Sequence, residues 1–268
     1  MSWKQIELGR AIHVKHGFAF KGEHFVDEGE LIVLTPGNFY EAGGFRVRPG
    51  KDRAYAGDVP DDYILNENDL IVAMTEQGAG LLGSSALVPE TNRYLHNQRI
   101  GLVDQIDATL LDRGFLYYLF NTRDVRGQIS GSATGTKVRH TAPDRIYRVR
   151  VRVPEVTKQK VIAETLKAYD DLIANNKRRI ELLEQSARLL FKEWFVWLRY
   201  PGHEHDKIVN GVPDGWKARN FTEVADFING FAFKPHHWGE VGLPIIKIPE
   251  LKEGVRQGTP RYFQANPC

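Results

Sequence analysis

The chain repeats its own opening near its end. Trp3-Lys4 recurs as Trp216-Lys217, and Gly17-Phe18-Ala19-Phe20-Lys21 recurs as Gly230-Phe231-Ala232-Phe233-Lys234. Both pairs share an offset of 213 residues, Pro36 and Pro249 keep it, and eleven of the 34 positions from 3 to 36 are identical. A common offset over ungapped sequence marks a duplicated unit, and a duplication sets the architecture before local propensity does. The second copy has only begun at residue 268. The sequence therefore predicts one full unit and the opening of another.

Composition narrows the class. An apolar content of 42% with five Trp is enough for a core, and the net charge is only +2. Any nucleic-acid site must then arise from local clustering. Cys268 is the sole cysteine, so no disulfide or cysteine zinc set can form within the chain. The opening Met1-Ser2-Trp3-Lys4-Gln5 is polar and no run approaches about eighteen apolar residues. No signal peptide, no membrane span and a cytoplasmic location are expected.

Residues 1–154 break into short apolar runs. Leu31-Ile32-Val33-Leu34, Asp69-Leu70-Ile71-Val72-Ala73-Met74 and Arg99-Ile100-Gly101-Leu102-Val103 read as strands. Residues 147–153 alternate basic and apolar, and Gly, Pro and Asn clusters separate the runs. Residues 110–124 carry Phe115, Leu116, Leu119 and Phe120 at helical spacing. One α+β domain is predicted. From 155 to 200 Gly and Pro vanish. Ile162, Leu166, Tyr169, Ile173, Asn176, Ile180, Leu183, Ala187, Leu190, Trp194 and Trp197 follow one another at steps of four and three, a heptad seam. A rod of roughly 60 Å with such a seam is not stable alone. It either folds back on its own domain or takes a partner helix, and its length favours the partner. Asn176 would fix register or orientation. Pro201-Gly202 should stop the helix, 201–213 is a polar linker, and 214–268 is an incomplete second copy with too little chain to bury a core alone.

Few residues look chemical. Gly78-Ala79-Gly80-Leu81-Leu82-Gly83 has the spacing of a dinucleotide loop. The residues after it, Ser84-Ser85-Ala86-Leu87-Val88-Pro89, do not form an amphipathic helix, so a turn between strands is expected. The nine His have no zinc-type spacing with Cys, Asp or Glu, and no nucleophile elbow is present. No catalytic centre is predicted. Residues 137–152 hold Lys137, Arg139, Arg145, Arg148, Arg150 and Arg152 against Asp144 alone, after the flexible, hydroxyl-rich Ser130-Gly131-Ser132-Ala133-Thr134-Gly135-Thr136. Cations and hydroxyls are phosphate ligands; equally, a basic strand can face solvent or pair with acids elsewhere. Gln77, Gln98 and Arg99 border predicted strands and are residue types that read adenine and guanine edges. With Lys21 of the repeated motif and Thr136, Lys137, Arg139 and His140, they form the candidate DNA-binding set.

Three features together resemble the specificity (S) subunit of type I restriction-modification systems. They are the Gly-Phe-Ala-Phe-Lys motif after a Trp-Lys start, residues 69–83 followed by Leu95-His96-Asn97-Gln98-Arg99, and Gln159-Lys160-Val161-Ile162-Ala163-Glu164-Thr165-Leu166 running on to Leu190-Phe191-Lys192-Glu193-Trp194-Phe195-Val196. The resemblance implies two target-recognition domains, each followed by a long helix, the two helices packed as an antiparallel coiled coil that spaces the halves of a split DNA site. It implies methyltransferase subunits that modify adenine with S-adenosylmethionine, restriction and motor subunits, and no catalysis or cofactor in this chain. The sequence departs in length, holding the first recognition domain (1–154), the first helix (155–200) and the start of the second domain. Two copies paired antiparallel through the seam would rebuild a symmetric unit. The competing readings are a truncated remnant, a coiled-coil interaction protein without a DNA role, and a methyltransferase built on the glycine-rich turn. For the last, no Asn-Pro-Pro-aromatic tetrad exists, and Asn266-Pro267-Cys268 does not supply one.

Overall fold

The run Leu70-Ile71-Val72-Ala73 contains no polar position because its strand is buried on both faces. In the computed structural model, which describes residues 3–78 and 80–262, alternate side chains of this strand enter two different cores. Leu70 and Val72 face one, Ile71 and Ala73 the other, the period-two consequence of strand geometry. Ala79 of the glycine-rich turn and Asn266-Pro267-Cys268 lie outside the described residues.

The chain divides into two compact units, Met1–Glu184 and Gln185–Cys268. In the first, strands run as β1 (Lys4–Glu7), β2 (Ile12–His16), β3 (Phe25–Val26), β4 (Ile32–Val33), β5 (Ala54–Tyr55), β6 (Leu70–Ala73), β7 (Thr75–Glu76), β8 (Ser85–Leu87), β9 (Tyr94–Leu95), β10 (Ile100–Ile106), β11 (Arg139–His140) and β12 (Arg150–Val153). A four-stranded antiparallel sheet has the order β2-β10-β6-β8. A second sheet, β3-β5-β4-β9, covers one of its faces and pairs β4 with β9 in parallel. Two short ladders, β1–β12 and β7–β11, are added to these sheets. On the other face lie α1 (Arg113–Phe120), α2 (Arg123–Gly131) and α3 (Pro143–Tyr147), which bury Phe115, Leu116, Phe120, Val125, Ile129 and Ile146.

Several local readings need correction. The helix expected over 110–124 is two helices. The Asn121 side chain accepts from the Ser85 backbone N–H (3.0 Å) and donates to Ser85 Oγ (2.9 Å) and the Tyr117 carbonyl (3.0 Å), ending α1. Thr122 then caps α2. Ser130 and Gly131 belong to α2 rather than to a flexible loop, and Thr134 and His140 close the segment after it by mutual backbone hydrogen bonds of 3.0 and 2.8 Å. Tyr147 ends α3, so the alternating strand begins only at Arg150.

The long helix α4 spans Val156–Phe191, 36 residues or about 54 Å. It is shorter than 155–200, because residues Lys192–Val196 widen into a π-helical turn and Leu198 takes a positive φ of 56° before Pro201-Gly202 is reached. Its base is fixed by Gln159, which is fully buried. The Gln159 amide donates to the carbonyls of Leu110 (2.9 Å) and Pro154 (2.8 Å) and accepts from the Asp112 N–H (2.9 Å). Ile162 and Ala163 pack on the core; from Leu166 to Leu190 every seam residue is exposed, Asn176 and Ala187 included. Trp194 is half-buried and Trp197 exposed.

The second unit contains two hairpin strands, β13 (Ile208–Val209) and β14 (Val212–Pro213), joined by Asn210-Gly211 with φ of 54° and 81°, the backbone that an Asn-Gly turn favours. After them come α5 (Phe221–Val224), β15 (Leu243–Pro244), α6 (Ile248–Glu253) and β16 (Arg261–Tyr262), with β15 antiparallel to β16. Among its described residues Pro213 and Ile245 are the buried apolar side chains.

Candidate nucleic-acid interface

The repeated Gly-Phe-Ala-Phe-Lys motif has a physical cause in its first copy. The Phe18 N–H donates to the His96 carbonyl (2.8 Å), and the Gln98 N–H donates to the Phe18 carbonyl (3.0 Å). A Cβ on Gly17 would sit 2.0 Å from the Asn97 carbonyl oxygen, so only glycine permits this crossing. Phe18 and Phe20 meet edge to face at 5.1 Å, and Phe18 packs on Tyr63 and Phe20 on Tyr55. They are packing residues.

Backbone pairing extends this crossing across one end of the central sheet. The Met74 N–H donates to the Arg99 carbonyl (3.0 Å), and the Thr141 N–H donates to the Met74 carbonyl (2.9 Å). Glu76 pairs with Arg139 and Thr75 with His140 in the β7–β11 ladder. Segments 17–21, 96–99, 74–77 and 136–141 thus lie side by side, although residues 17 and 141 are 124 positions apart in sequence. Lys21, Gln77, Gln98, Arg99, Thr136, Lys137 and His140 are all exposed there. Lys137 makes no ion pair among the described residues, and His140 Nδ1 lies 3.1 Å from Thr75 Oγ1. The set offers amides, a guanidinium, an imidazole, hydroxyls and amines on a scaffold of paired backbone.

Arg139 does not belong with them as a free cation. Its guanidinium meets Glu76 Oε1 at 3.1 Å and holds the Ser130 hydroxyl (2.9 Å) and carbonyl. Glu76 is 2% exposed, and its Oε2 accepts from the N–H groups of Gly80 (3.1 Å), Leu81 (2.9 Å) and Leu82 (2.9 Å). The glycine-rich segment is the expected turn between strands, β7 and β8, and its N–H groups form an anion nest that the chain's own carboxylate fills. Arg126 closes the far side by donating to the carbonyls of Leu82, Glu41 and Gly80. Sequence reading missed Glu76 and Arg126, since nothing local ties Glu76 to a cation 63 residues away. The rest of the basic run disperses as well. Arg145 holds Thr134 Oγ1 (3.1 Å), Arg150 pairs with Glu7 (3.1 Å), and Arg150 and Arg152 stand on the β1–β12 ladder.

His96 turns the corner into this end. It is fully buried, one ring nitrogen (Nε2) lies 2.8 Å from the Ile100 carbonyl, and Nδ1 has no partner among the described residues. Burial pushes its pKa down to about 4, and neighbouring Lys15 and His16 push the same way, so it is neutral at ordinary pH. Among the described residues no three His, Cys, Asp or Glu gather as a metal site, and no helix is long and apolar enough to cross a membrane.

With this geometry in hand, residues 2–185 match the family described as Type I restriction modification DNA specificity domain. The MjaIX specificity subunit of a type I restriction enzyme from Methanocaldococcus jannaschii is 26% identical over 147 residues, 53% of this chain and 34% of the relative. The EcoKI specificity subunit of Escherichia coli K12 is 23% identical over 212 residues, 78% of this chain and 45% of the relative. The chain thus spans between a third and a half of these curated relatives. The crystal structure of a type I S subunit from M. genitalium shares the fold, with a TM-score of 0.56 at 16% identity over 91% of this chain and 59% of that one.

Proposed function

Because this chain belongs to the type I restriction-modification DNA specificity family, we propose that it reads one half of a split duplex site for a type I complex. The reading surface is the sheet end that carries Gln77, Gln98, Arg99, Thr136, Lys137 and His140, with Lys21 at its margin. The observation that supports this most is the convergence of four distant segments, each bringing exposed groups able to pair with base edges or phosphates, at one end of one sheet. Adenine methylation would be performed by methyltransferase subunits carrying S-adenosylmethionine, and cleavage by restriction and motor subunits. This chain supplies no catalytic group and acts in the cytoplasm.

Helix α4 is the spacer, and a second copy is its partner. The exposed seam from Leu166 to Leu190 is of the kind that pairs, and antiparallel pairing of two copies gives a two-fold unit that would read a palindromic split site. The glycine-rich turn is taken up by Glu76, which argues against S-adenosylmethionine binding there. The test is base-specific. Gln98→Ala or Gln77→Ala should relax one position of the recognised site by about 1–3 kcal/mol. Lys137→Ala should weaken all duplexes alike. Identical site preference in all three variants would refute the assignment.

A further inference from the structure

Beside the interface lies a basic loop that the reading surface does not include. Residues 46–53, Arg46-Val47-Arg48-Pro49-Gly50-Lys51-Asp52-Arg53, hold four cations and one anion, between β4 and β5. The single acid is turned inward. Asp52 Oδ1 accepts from the Asn38 amide (2.8 Å), and Oδ2 accepts from the Arg48 N–H (2.8 Å). Asn38 is fully buried and donates also to the Arg46 carbonyl (3.2 Å). Asp52 and Asn38 thus brace the loop from within.

The cations point elsewhere. None of the four is in an ion pair among the described residues. The Arg46 guanidinium lies 5.7 Å from the centre of the Tyr40 ring, and Arg53 lies 5.4 Å from that of Phe25. Arg48 donates to Thr35 Oγ1 (3.3 Å) and packs directly on Gly37, where a Cβ would lie 2.3 Å from its terminal nitrogen. Arg46, Arg48 and Lys51 line a hollow of about 360 Å³ with Gly37, Val47 and Pro49. Three cations around one hollow, with no acid facing it, suit a phosphodiester, and Arg adds the planar fork that matches its oxygens.

Topology places the loop at the reading end. The Leu34 N–H donates to the Leu95 carbonyl (3.1 Å) in the parallel β4–β9 pair. The chain leaving β4 thus emerges where β9 runs on into residues 96–99. Glu41, on the same connection, approaches Gly80, just beyond Gln77. We infer that loop 46–53 is a phosphate-binding site that grips the duplex backbone beside the sequence-reading surface. This rests on the proposed DNA-reading role and adds a second, sequence-independent contact to it.

The test uses the purified full chain, a labelled mixed-sequence duplex and a series of salt concentrations. Arg46→Ala with Lys51→Ala, both at exposed positions, should weaken binding by one common factor for every duplex and lower the slope of log K against log salt by about 1.8. Lys51→Arg should keep the slope. If the wild-type chain binds and the double variant shows the same slope and affinity, this inference is overturned while the reading surface stands. If the slope falls for single-stranded RNA and not for duplex DNA, it is likewise overturned. If the wild-type chain binds no duplex at any salt, the DNA-reading role fails and the loop's role with it.

Discussion

A carboxylate taken out of water without partners costs several kcal/mol. Glu76 escapes that cost with three backbone N–H donors on one oxygen and the Arg139 guanidinium on the other. The same contacts tie the glycine-rich turn, β11 and the end of α2 together. Glu76→Ala should lower the unfolding free energy in urea by on the order of 3 kcal/mol, because it strips the nest and leaves Arg139 unpaired. A loss below about 0.5 kcal/mol would show that the network carries no such weight. His96 sets a pH dependence. Its folded pKa of about 4 lies below an unfolded value near 6.5, so between the two the unfolded chain binds more protons. The stability it contributes is complete above about pH 6.5 and is lost as pH falls toward about 4, on the order of 3 kcal/mol. Urea titrations across this range should show a steeper loss in wild type than in His96→Gln. Parallel curves would contradict the burial argument.

At the level of elements, two glycines separate a necessary position from a permissive one. Gly17→Ala must push Cβ into the Asn97 carbonyl, so it should cost more than about 2 kcal/mol. Gly22→Ala meets nothing within 4 Å and should stay within about 0.5 kcal/mol by the same urea titration. The seam of α4 gives a complementary prediction. Ile180 is exposed, and the proposed pairing of two copies predicts a sedimenting dimer that Ile180→Glu turns into a monomer with its fold intact; a monomeric wild type, or an equally associated variant, would contradict pairing through this seam. The elements most visible in sequence were those with an unbroken pattern, namely the two-sided strand at 70–73 and the heptads of α4. The end of α1 was hidden because Asn121 is positioned by Ser85, far away in sequence. The basic run from 137 to 152 stays open in sequence between phosphate contact and pairing with distant acids for a similar reason. Charge counts along a sequence cannot show that Arg139 and Arg150 are already paired with Glu76 and Glu7. The loop at 46–53 was equally legible by charge count, but only the fold shows its cations without acidic partners and its acid facing inward.

On the scale of the whole molecule, the duplication and the long helix belong to one logic. The first copy of the repeat is completed by segment 96–98 crossing Phe18. In the second copy a Cβ on Gly230 would meet no described residue within 4 Å, and Phe231 is 68% exposed. The motif therefore has its packing reason in the first copy, and that copy carries the proposed reading surface. With α4 rooted in that unit through Gln159, a partner on the seam would hold two reading surfaces at a fixed spacing. The most direct test is co-expression of this chain with a type I methyltransferase subunit, followed by mapping of methylated adenines in the host DNA. The account predicts a split motif that appears only with the chain, is palindromic, and loses discrimination at one position in each half when Gln98 is replaced by Ala. A methylation pattern that is the same with and without the chain would contradict it.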